Sequence, residues 1–383
     1  MRVDTNMKIC VITATYPLES FGGIFVKEQC EQLARNGNDV CVLYCAGNMK
    51  AVNDFKIHAE DNKGVSVLYN CFPRYATTHA PRFWCWYITI QLNILYERML
   101  KVFGKPDVIY AHFSFPAGKV ATALGKKEKI PVVIAEHWSG LINGKAKGAV
   151  LSVIQSSLNA ADSIICVSPA LQDAVNSIIG SDEKITIIPN MLSNSFTYHQ
   201  RVPKEHFVFF SLGTLNDKKN FELLIRAFIK AFKSDDNVTL RIGGAGPDEE
   251  KLKQLIKNSQ RTEQIKMLGK LNRDQTVSEY KLCDSFILLS PKETFGIAYR
   301  EAMAVGRPII SLENGGIRYN WDDRNGIIVD YPSDNVLEDV VNAMKTMVAR
   351  IDQYDLEAIS KSTLAEFSAE QVSKRIEKVL LNA

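Results

Sequence analysis

The chain has 383 residues, which is long for a single hydrophobic core and predicts two domains. Hydrophobic residues make up 46% of the sequence and charged residues 23%, which excludes a disordered chain. The 46 basic and 43 acidic side chains leave a formal net charge of +3, and this balance argues against a nucleic-acid partner.

The start of the chain has no signal-peptide pattern, and no run reaches the ~18 apolar residues of a membrane-spanning helix. None of the eight cysteines belongs to a Cys-x-x-Cys pair, and most lie in apolar runs, as buried thiols do in a reducing compartment. The six histidines have no metal-ligand spacing. We therefore expect a cytoplasmic protein, with membrane contact only at its surface.

The first half of the chain predicts a parallel α/β sheet. Residues 8–17 read as a buried strand, a loop with Gly22 and Gly23 follows, and residues 24–37 have the spacing of a helix. Residues 39–45 predict the next strand. This order of strand, loop, helix and strand is typical of a parallel sheet with helices on its faces.

Residues 74–105 form the most aromatic and basic segment of the chain. Tryptophan, tyrosine, arginine and lysine mix here with long apolar residues, as they do in helices at a membrane interface. The alternative is a helix packed against the strands of its own domain. The first interpretation predicts contact with a membrane surface.

Two further predicted strands, residues 106–112 and 131–137, each end in a histidine. Because functional groups collect at the carboxyl ends of the strands in an open α/β sheet, we expect ligand contacts there. A lone histidine at a strand end is more often structural, whereas two at parallel strand ends favour a functional role. His137, between a glutamate and Trp138, is a better candidate than His112.

Residues 193–206 are polar and aromatic without periodicity, and they predict a linker. After the linker the α/β pattern restarts, with predicted helices at residues 220–232 and 248–258. Predicted strands cover residues 206–213, 238–244, 265–269, 284–290 and 308–312. Residues 369–381 predict a final helix, so the chain reads as two similar α/β halves and a tail.

A stretch of the second half, from Glu293 to Glu301, combines two carboxylates with the start of a helix. Phe295 and Gly296 fall at this start, where the first N–H groups and the helix dipole favour a diphosphate and glycine allows close approach. Carboxylates so near to phosphates favour hydroxyl groups, and a nucleotide-sugar has hydroxyls on both sides of its diphosphate. The alternative is that glutamates in the first turns of a helix only stabilise its dipole.

This stretch resembles the E-x7-E signature of the retaining, GT-B-fold glycosyltransferases of the large group-1 family, the family 4 type. Residues 212–228 resemble the segment that opens the second domain in that family, and residues 240–247 resemble its Gly-x-Gly-Pro turn. The loop with Gly22 and Gly23 is similar to its first glycine loop. The resemblance covers most of the chain and is more specific in the second half.

The resemblance implies an α/β fold of the GT-B type, with two facing Rossmann-like domains built on parallel sheets. Residues 1–195 would form an N-terminal acceptor domain, and residues 196–364 a nucleotide-sugar-binding domain. A C-terminal helix of about residues 365–383 would cross back to the first domain.

For the donor, the resemblance implies a role for five residues of the second domain. Glu293 would be a catalytic residue that binds hydroxyls of the donor sugar, and Glu301 would bind the ribose hydroxyls. Lys219 and the backbone of Phe295 and Gly296 would hold the diphosphate.

The resemblance implies further roles elsewhere in the chain. Gly23 would let the first domain approach the diphosphate, Lys270 would lie near the base, and His137 would be a second catalytic residue near the reacting centre. His112 and Trp138 are candidates for contact with the acceptor.

The sequence departs from the pattern of the family in two segments. Thr214 stands where an arginine is usual, so one bidentate phosphate donor is missing, and Lys218 beside Lys219 could replace it only as a point charge. Arg318 and Tyr319 replace the usual Pro-Glu after a Gly-Gly pair. Arg318 is a candidate for the substitute phosphate cation.

The implied reaction moves a sugar from a nucleotide-diphosphate sugar to the hydroxyl of a glycan or lipid-linked acceptor, in polysaccharide or glycolipid assembly. The resemblance implies retention at the anomeric carbon, and since neither glutamate looks placed as a nucleophile, a same-face route is favoured. No cofactor or metal is expected, because the sequence has no Asp-x-Asp pair for Mg²⁺ or Mn²⁺. Lysines and the helix start would neutralise the leaving diphosphate.

Three alternatives remain open at this point. A nucleotide-sugar epimerase would release free nucleotide and an altered sugar without an acceptor. A phosphorylase would need a pyridoxal cofactor on a lysine. A non-catalytic member of an assembly complex would bind nucleotide weakly or not at all.

Overall fold

The computed structural model describes residues 6–17, 23–48, 58–73, 81–202 and 204–383. The chain forms two compact units. The first contains the described residues up to Met191 together with residues 369–383, and the second extends from Leu192 to Ser368. The boundaries predicted from the sequence, after residues 195 and 364, lie four residues away from these.

The described part of the first unit has a mainly parallel sheet. Its strands are β1 (Lys8–Thr13), β2 (Asp39–Asn48), β3 (His58–Asn62), β4 (Val65–Pro73), β5 (Val108–His112), β6 (Val132–Glu136), β7 (Ser163–Cys166) and β8 (Ile185–Ile187). They lie in the order β3-β4-β2-β1-β5-β6-β7-β8, and all neighbours are parallel except β3 and β4. The central strands β1, β5 and β6 are almost wholly buried, which accounts for their uninterrupted apolar sequences.

The hairpin formed by β3 and β4 is absent from the prediction. Lys63 and Gly64 connect the two strands with φ of 53° and 82°, the left-handed pair that a tight two-residue turn requires. Lysine is an unusual residue at such a position, so the sequence gives a weak turn signal.

Helices cover the faces of this sheet. They are α1 (Ile24–Arg35), α2 (Pro81–Val102), α3 (Lys119–Glu128), α4 (Ser139–Ile142), α5 (Gly148–Ala160) and α6 (Pro169–Ile179). The described cysteines, Cys10, Cys30, Cys41, Cys45, Cys166 and Cys283, are buried free thiols, as predicted. Burial raises the pKa of the Cys41 thiol to about 12. The side chains of Cys71 and Cys85 lie outside the described part of the structure.

Helix α2 corresponds to most of the aromatic and basic segment. Its face with Leu92, Leu95 and Met99 is buried, and the helix lies against β2 and β4, as expected for a packed helix. Trp86 and Val102, by contrast, are 58% and 65% exposed. Residues 74–80 of the segment lie outside the described residues. Within the described part of the chain, no helix is long and apolar enough to cross a membrane.

The second unit has a fully parallel sheet. Its strands are β9 (Phe207–Leu212), β10 (Val238–Gly243), β11 (Ile265–Gly269), β12 (Ser285–Leu288), β13 (Ile309–Leu312) and β14 (Gly326–Val329). Its helices are α7 (Phe221–Ala231), α8 (Glu249–Asn258), α9 (Arg273–Leu282), α10 (Ile297–Ala304), α11 (Gly315–Arg318), α12 (Val336–Arg350) and α13 (Leu356–Phe367). The sheet order is β11-β10-β9-β12-β13-β14, the order of a nucleotide-binding sheet.

The last helix, α14 (Ala369–Leu381), belongs to the first unit. Val372, Ile376 and Leu380 recur at helical spacing and join the core beside β1 and α1. Its polar face is tied to the end of α1, because Asn36 Nδ2 donates to Ser373 Oγ at 3.0 Å. The returning C-terminal helix implied by the resemblance is therefore confirmed.

Candidate active site

The topology of the second unit brings two predicted donor residues to the same edge of the sheet. Strand order reverses between the neighbours β9 and β12, and ligands of open α/β sheets bind beyond the carboxyl ends of the strands at such a point. The loop after β9 carries Lys219, and the loop after β12 carries Glu293.

Lys219 and Glu293 form an ion pair between these loops, from Lys219 Nζ to Glu293 Oε1. Their side chains are only 24% and 15% exposed, so the pair is partly shielded from water. A Cβ on Gly316 would lie 2.8 Å from the Cβ of Glu293. A glycine at position 316 therefore lets the start of α11 pack against Glu293, and this packing fixes the backbone of Glu293.

Helix α10 begins directly after Gly296, where the sequence predicted a helix start. Gly296 caps the helix with φ 74° and ψ 55°, and a Cβ at this position would lie 2.5 Å from the ring of Tyr299. The Phe295 ring is buried, with the Arg300 guanidinium 5.8 Å and the Phe367 ring 5.5 Å from its centroid. The side chain of Phe295 is thus an anchor, and its backbone is the part available to a ligand.

Glu301 lies inside α10, and its side chain is 5% exposed. Arg273 Nη1 donates to its Oε1 at 2.7 Å, and Tyr280 Oη lies 3.1 Å from its Oε2. Burial raises the pKa of the Glu301 carboxyl, and the Arg273 charge and the Tyr280 hydroxyl offset part of that rise. Neither partner was identified from the sequence.

Two glycine turns adjoin the loop after β9. A Cβ on Gly244 would lie 1.9 Å from the Gly213 carbonyl oxygen, and one on Gly246 would lie 2.2 Å from that of Leu215. The Gly-x-Gly-Pro turn therefore packs on the backbone that leads to Lys219. Lys270 follows β11 and is exposed.

The departures from the family pattern lie at the surface. Thr214 and Lys218 are exposed. Arg318 is half exposed, and its Nε donates to Glu313 Oε2 at 2.6 Å. Its charge is already paired, and its role as a phosphate cation stays a prediction.

The two strand-end histidines of the first unit lie together. His112 Nδ1 and His137 Nε2 are 3.1 Å apart, and their rings stack with centroids separated by 5.3 Å. The Phe25 ring at the start of α1 lies 4.7 Å from the His137 ring and closes one side of the pair.

Both histidines are held in the neutral form. Burial, and then the neighbouring His137, lowers the pKa of His112 well below its usual value. Burial lowers the pKa of His137 to about 3. The pair can exchange hydrogen bonds with hydroxyl groups at neutral pH without carrying charge.

Glu136 fixes the loop that carries His137. Its carboxylate is fully buried and accepts from Ser114 N at 2.9 Å and Ser114 Oγ at 2.5 Å. Its other oxygen accepts from the backbone N–H groups of His137 and Trp138, both at 2.9 Å. A buried carboxylate with four donors is well satisfied, so it joins the loops after β5 and β6 into one rigid element.

The remaining predicted residues of the first unit have simple surroundings. Gly23 caps α1 with φ 83°, and a Cβ there would lie 2.8 Å from the Thr15 carbonyl oxygen. The start of α1 therefore packs closely on the backbone that follows β1. The Trp138 ring is 36% exposed and lies over Gly140, where a Cβ would be 2.1 Å from the ring. Gly22 lies outside the described residues.

The sequence did not reveal several residues that hold these groups: Phe25, Ser114, Arg273 and Tyr280. Each contacts its partner from another element, so spacing along the chain gave no signal. Glu136 was noticed only as a neighbour of His137. Among the described residues, no three His, Cys, Asp or Glu side chains are grouped so that they could hold a metal ion.

Comparison with known families agrees with this geometry. A family model described as "Glycosyl transferases group 1" matches residues 197–350, and one described as "Glycosyltransferase Family 4" matches residues 22–194. The alpha-monoglucosyldiacylglycerol synthase of Streptococcus pneumoniae is 24% identical over 72% of this chain and 66% of its own length, slightly under two thirds. A glycosyltransferase of Methanocaldococcus jannaschii is 28% identical over 94% of this chain and 97% of its own.

Solved structures show the same architecture. Sucrose-phosphate synthase from Thermosynechococcus elongatus superposes with a TM-score of 0.78 at 16% identity, over 97% of this chain and 98% of its own. An Anabaena protein in complex with UDP and glucose superposes with a TM-score of 0.72 at 17% identity, over 98% and 100%. Likeness at these identities shows the fold.

The fold and the site define the class of this protein: two Rossmann-like units with parallel sheets, of the GT-B type. The two family models together match residues 22–194 and 197–350, and the chain belongs to the group 1 glycosyltransferases. The group-1, GT-B resemblance seen in the sequence is thereby confirmed, while the E-x7-E motif and the retaining reaction stay predictions.

Proposed function

We propose that the protein transfers a sugar from a nucleotide-diphosphate sugar to an acceptor hydroxyl with retention of configuration. One observation carries the proposal, the arrangement at the start of α10. Glu293 precedes the helix, Gly296 caps it and Glu301 lies inside it, where the strand order of a nucleotide-binding sheet reverses.

The donor is expected to lie across the start of α10. Its diphosphate takes the first N–H groups of the helix and the Lys219 ammonium, its sugar hydroxyls donate to Glu293, and its ribose hydroxyls donate to Glu301. An ammonium has three protons, so Lys219 can hold Glu293 and a phosphate oxygen at the same time.

The Lys219–Glu293 pair also supports a same-face route. A carboxylate nucleophile in a retaining reaction attacks the anomeric carbon from the face opposite the leaving group. Because Lys219 contacts Glu293 and also binds the diphosphate in this proposal, Glu293 lies on the leaving-group side. The leaving phosphate itself then accepts the proton of the acceptor hydroxyl, while the lysine and the helix start stabilise the charge that develops on it.

No metal ion or cofactor is required in this proposal, because Lys219 and the helix start neutralise the diphosphate. The reaction is therefore expected to proceed in EDTA. The neutral His112–His137 pair of the first unit is proposed to receive the acceptor hydroxyl, with Trp138 as a stacking surface for a sugar ring.

The comparisons support classes of donor and acceptor. Structures named as complexes with UDP make uridine the first base to test, and Lys270 is the proposed neighbour of the base. The pneumococcal relative is named for a glycolipid product, which supports a lipid-linked or glycan acceptor in glycolipid or polysaccharide assembly. Exposed Trp86 and Val102 of α2 would allow contact with a membrane surface.

A thermal-shift screen against UDP, GDP, ADP and their sugar conjugates tests the donor site, because a ligand that binds only the folded state raises Tm. One base is expected to give a clear shift that Glu301→Ala abolishes. The matched control is Glu279→Ala on α9, which also loses an arginine partner, Arg241 at 2.6 Å, but lies outside the proposed site.

The outcomes separate the candidate functions. No shift with any nucleotide, in folded protein, would favour the non-catalytic alternative, for which the exposed Thr214 in place of arginine is the supporting observation. Release of free nucleotide with an altered sugar in the absence of an acceptor would favour the epimerase.

A further inference from the structure

Three side chains of the second unit, those of Arg273, Tyr280 and Phe196, form a cluster around Glu301. Arg273 and Tyr280, both on α9, contact its two carboxylate oxygens. The Arg273 guanidinium lies 4.4 Å from the centroid of the Phe196 ring, and the same ring meets the Tyr280 ring edge-on at 5.7 Å. Phe196 itself is fully buried, although its segment reads as a linker in the sequence.

The position of Arg273 is fixed independently of its ion pair. It is the first residue of α9, and a capping box sets the start of that helix, with Asn272 and Gln275 each accepting a backbone N–H of the other. The Phe196 ring then holds the guanidinium through a cation–π contact. Arg273 therefore reaches Glu301 from a rigid element.

A buried carboxylate with no cation beside it would take up a proton and lose its charge. Arg273 and Tyr280 are the charged and titratable side chains that act on Glu301 among the described residues. Arg273 occupies one lone pair of Oε1, and the Tyr280 hydroxyl shares its single proton between Oε2 and the Ala298 carbonyl oxygen, which is 3.0 Å away. Each carboxylate oxygen keeps at least one lone pair for another donor. Two neighbouring hydroxyl groups of a ribose could donate to these remaining positions.

We infer that Arg273 is a positioning residue of the nucleotide site, which keeps Glu301 ionised and oriented so that it accepts both ribose hydroxyls of the donor. This inference rests on the proposed function, in which Glu301 binds the ribose. Tyr280 has the same role with a smaller effect, since it contributes a neutral hydrogen bond instead of a charge.

The test measures affinity for UDP and for 2′-deoxyuridine diphosphate by calorimetry between pH 5.5 and 8.5. Wild-type protein is expected to prefer UDP throughout this range. Arg273→Gln is expected to keep the preference at pH 8.5 and to lose it, by about tenfold, as the pH falls towards 6, because its Glu301 carboxyl becomes protonated. Arg273→Lys should restore the wild-type profile.

Two further variants keep the outcome interpretable. Tyr280→Phe retains the buried ring but removes the hydroxyl. We expect this variant also to lose its preference for UDP as the pH falls, with a midpoint that is shifted from wild type by less than the midpoint of Arg273→Gln. Arg241→Gln removes an arginine from a different arginine–glutamate pair of the second unit, the pair with Glu279 on α9, and should leave the profile unchanged. Melting temperatures at each pH show that all variants are folded.

The result that overturns the inference is a wild-type pH profile in both Arg273→Gln and Tyr280→Phe. The proposed function is tested separately by Glu301→Gln, which should lose the preference for UDP at every pH. A Glu301→Gln protein that keeps the preference, or a wild-type protein that binds neither nucleotide, would contradict the ribose site itself.

Discussion

A buried carboxylate supports the candidate residues in each of the two units. Glu136 is satisfied by four hydrogen bonds from two loops, whereas Glu301 is satisfied by an arginine and a tyrosine of one helix. The first arrangement is saturated, so Glu136 can only support its neighbours. The second leaves acceptor capacity, so Glu301 can bind a ligand.

The neutral histidine pair gives a residue-scale prediction of pH dependence. His112 and His137 have lowered pKa values in the folded state, so the unfolded chain binds more protons once the pH falls below about 6.5. The contribution of the two histidines to the free energy of unfolding is therefore fully present above that pH. It is lost as the pH falls, by up to about 1.4 kcal/mol per pH unit for each histidine.

Urea unfolding at pH 7.5, 6.5 and 5.5 checks this prediction. His112→Gln should show a shallower loss of stability between pH 6.5 and 5.5 than wild type, because one titrating group is gone. The exposed His199→Gln serves as the control and should keep the wild-type slope. An equal slope in wild type and His112→Gln would contradict the neutral pair.

At the scale of elements, the start of α10 is the part of the site most constrained by geometry. A Gly296→Ala change places a side chain at φ 74° with its Cβ 2.5 Å from the Tyr299 ring. We expect a stability loss of about 1–3 kcal/mol from the backbone, more from the clash, and loss of nucleotide binding. Calorimetry with the nucleotide and thermal unfolding measure the two effects.

Gly180 at the end of α6 provides a matched control. It has nearly the same φ, 75°, but a Cβ there would meet nothing within 4 Å. Gly180→Ala should lose only the backbone contribution and bind nucleotide normally. Equal behaviour of the two variants would show that the close packing at Gly296 has no special role.

The site could be predicted from the sequence only where its residues are neighbours along the chain. Glu293, Gly296 and Glu301 fall within one strand–loop–helix stretch, so the motif located them. Arg273 precedes Glu301 by 28 residues, and Ser114 precedes Glu136 by 22. These contacts arise from the packing of α9 on α10 and of the loop after β5 on that after β6, which no local spacing encodes.

At the scale of the whole molecule, the doubly wound pattern was readable because parallel strands are buried on both faces. Strands such as β1 and β9 each contain a run of four apolar residues, and helices with one apolar face follow them. Strand β14 was not predicted, since it is a four-residue run beginning with glycine. The helix α14 was predicted, but only the family resemblance indicated which unit it joins.

The central claim is that the start of α10 binds a nucleotide-sugar whose transfer requires Glu293 and no metal. The most direct measurement is sugar transfer by wild type and Glu293→Ala with the donor identified by the screen, in the presence of EDTA. The wild type should remain active, while the variant should fold, bind the nucleoside diphosphate and lose transfer by about 10–100-fold or more, since hydrogen bonds to a charged group contribute ~1.5–3 kcal/mol. An unchanged rate in Glu293→Ala, or a wild type inactivated by EDTA, would contradict this account.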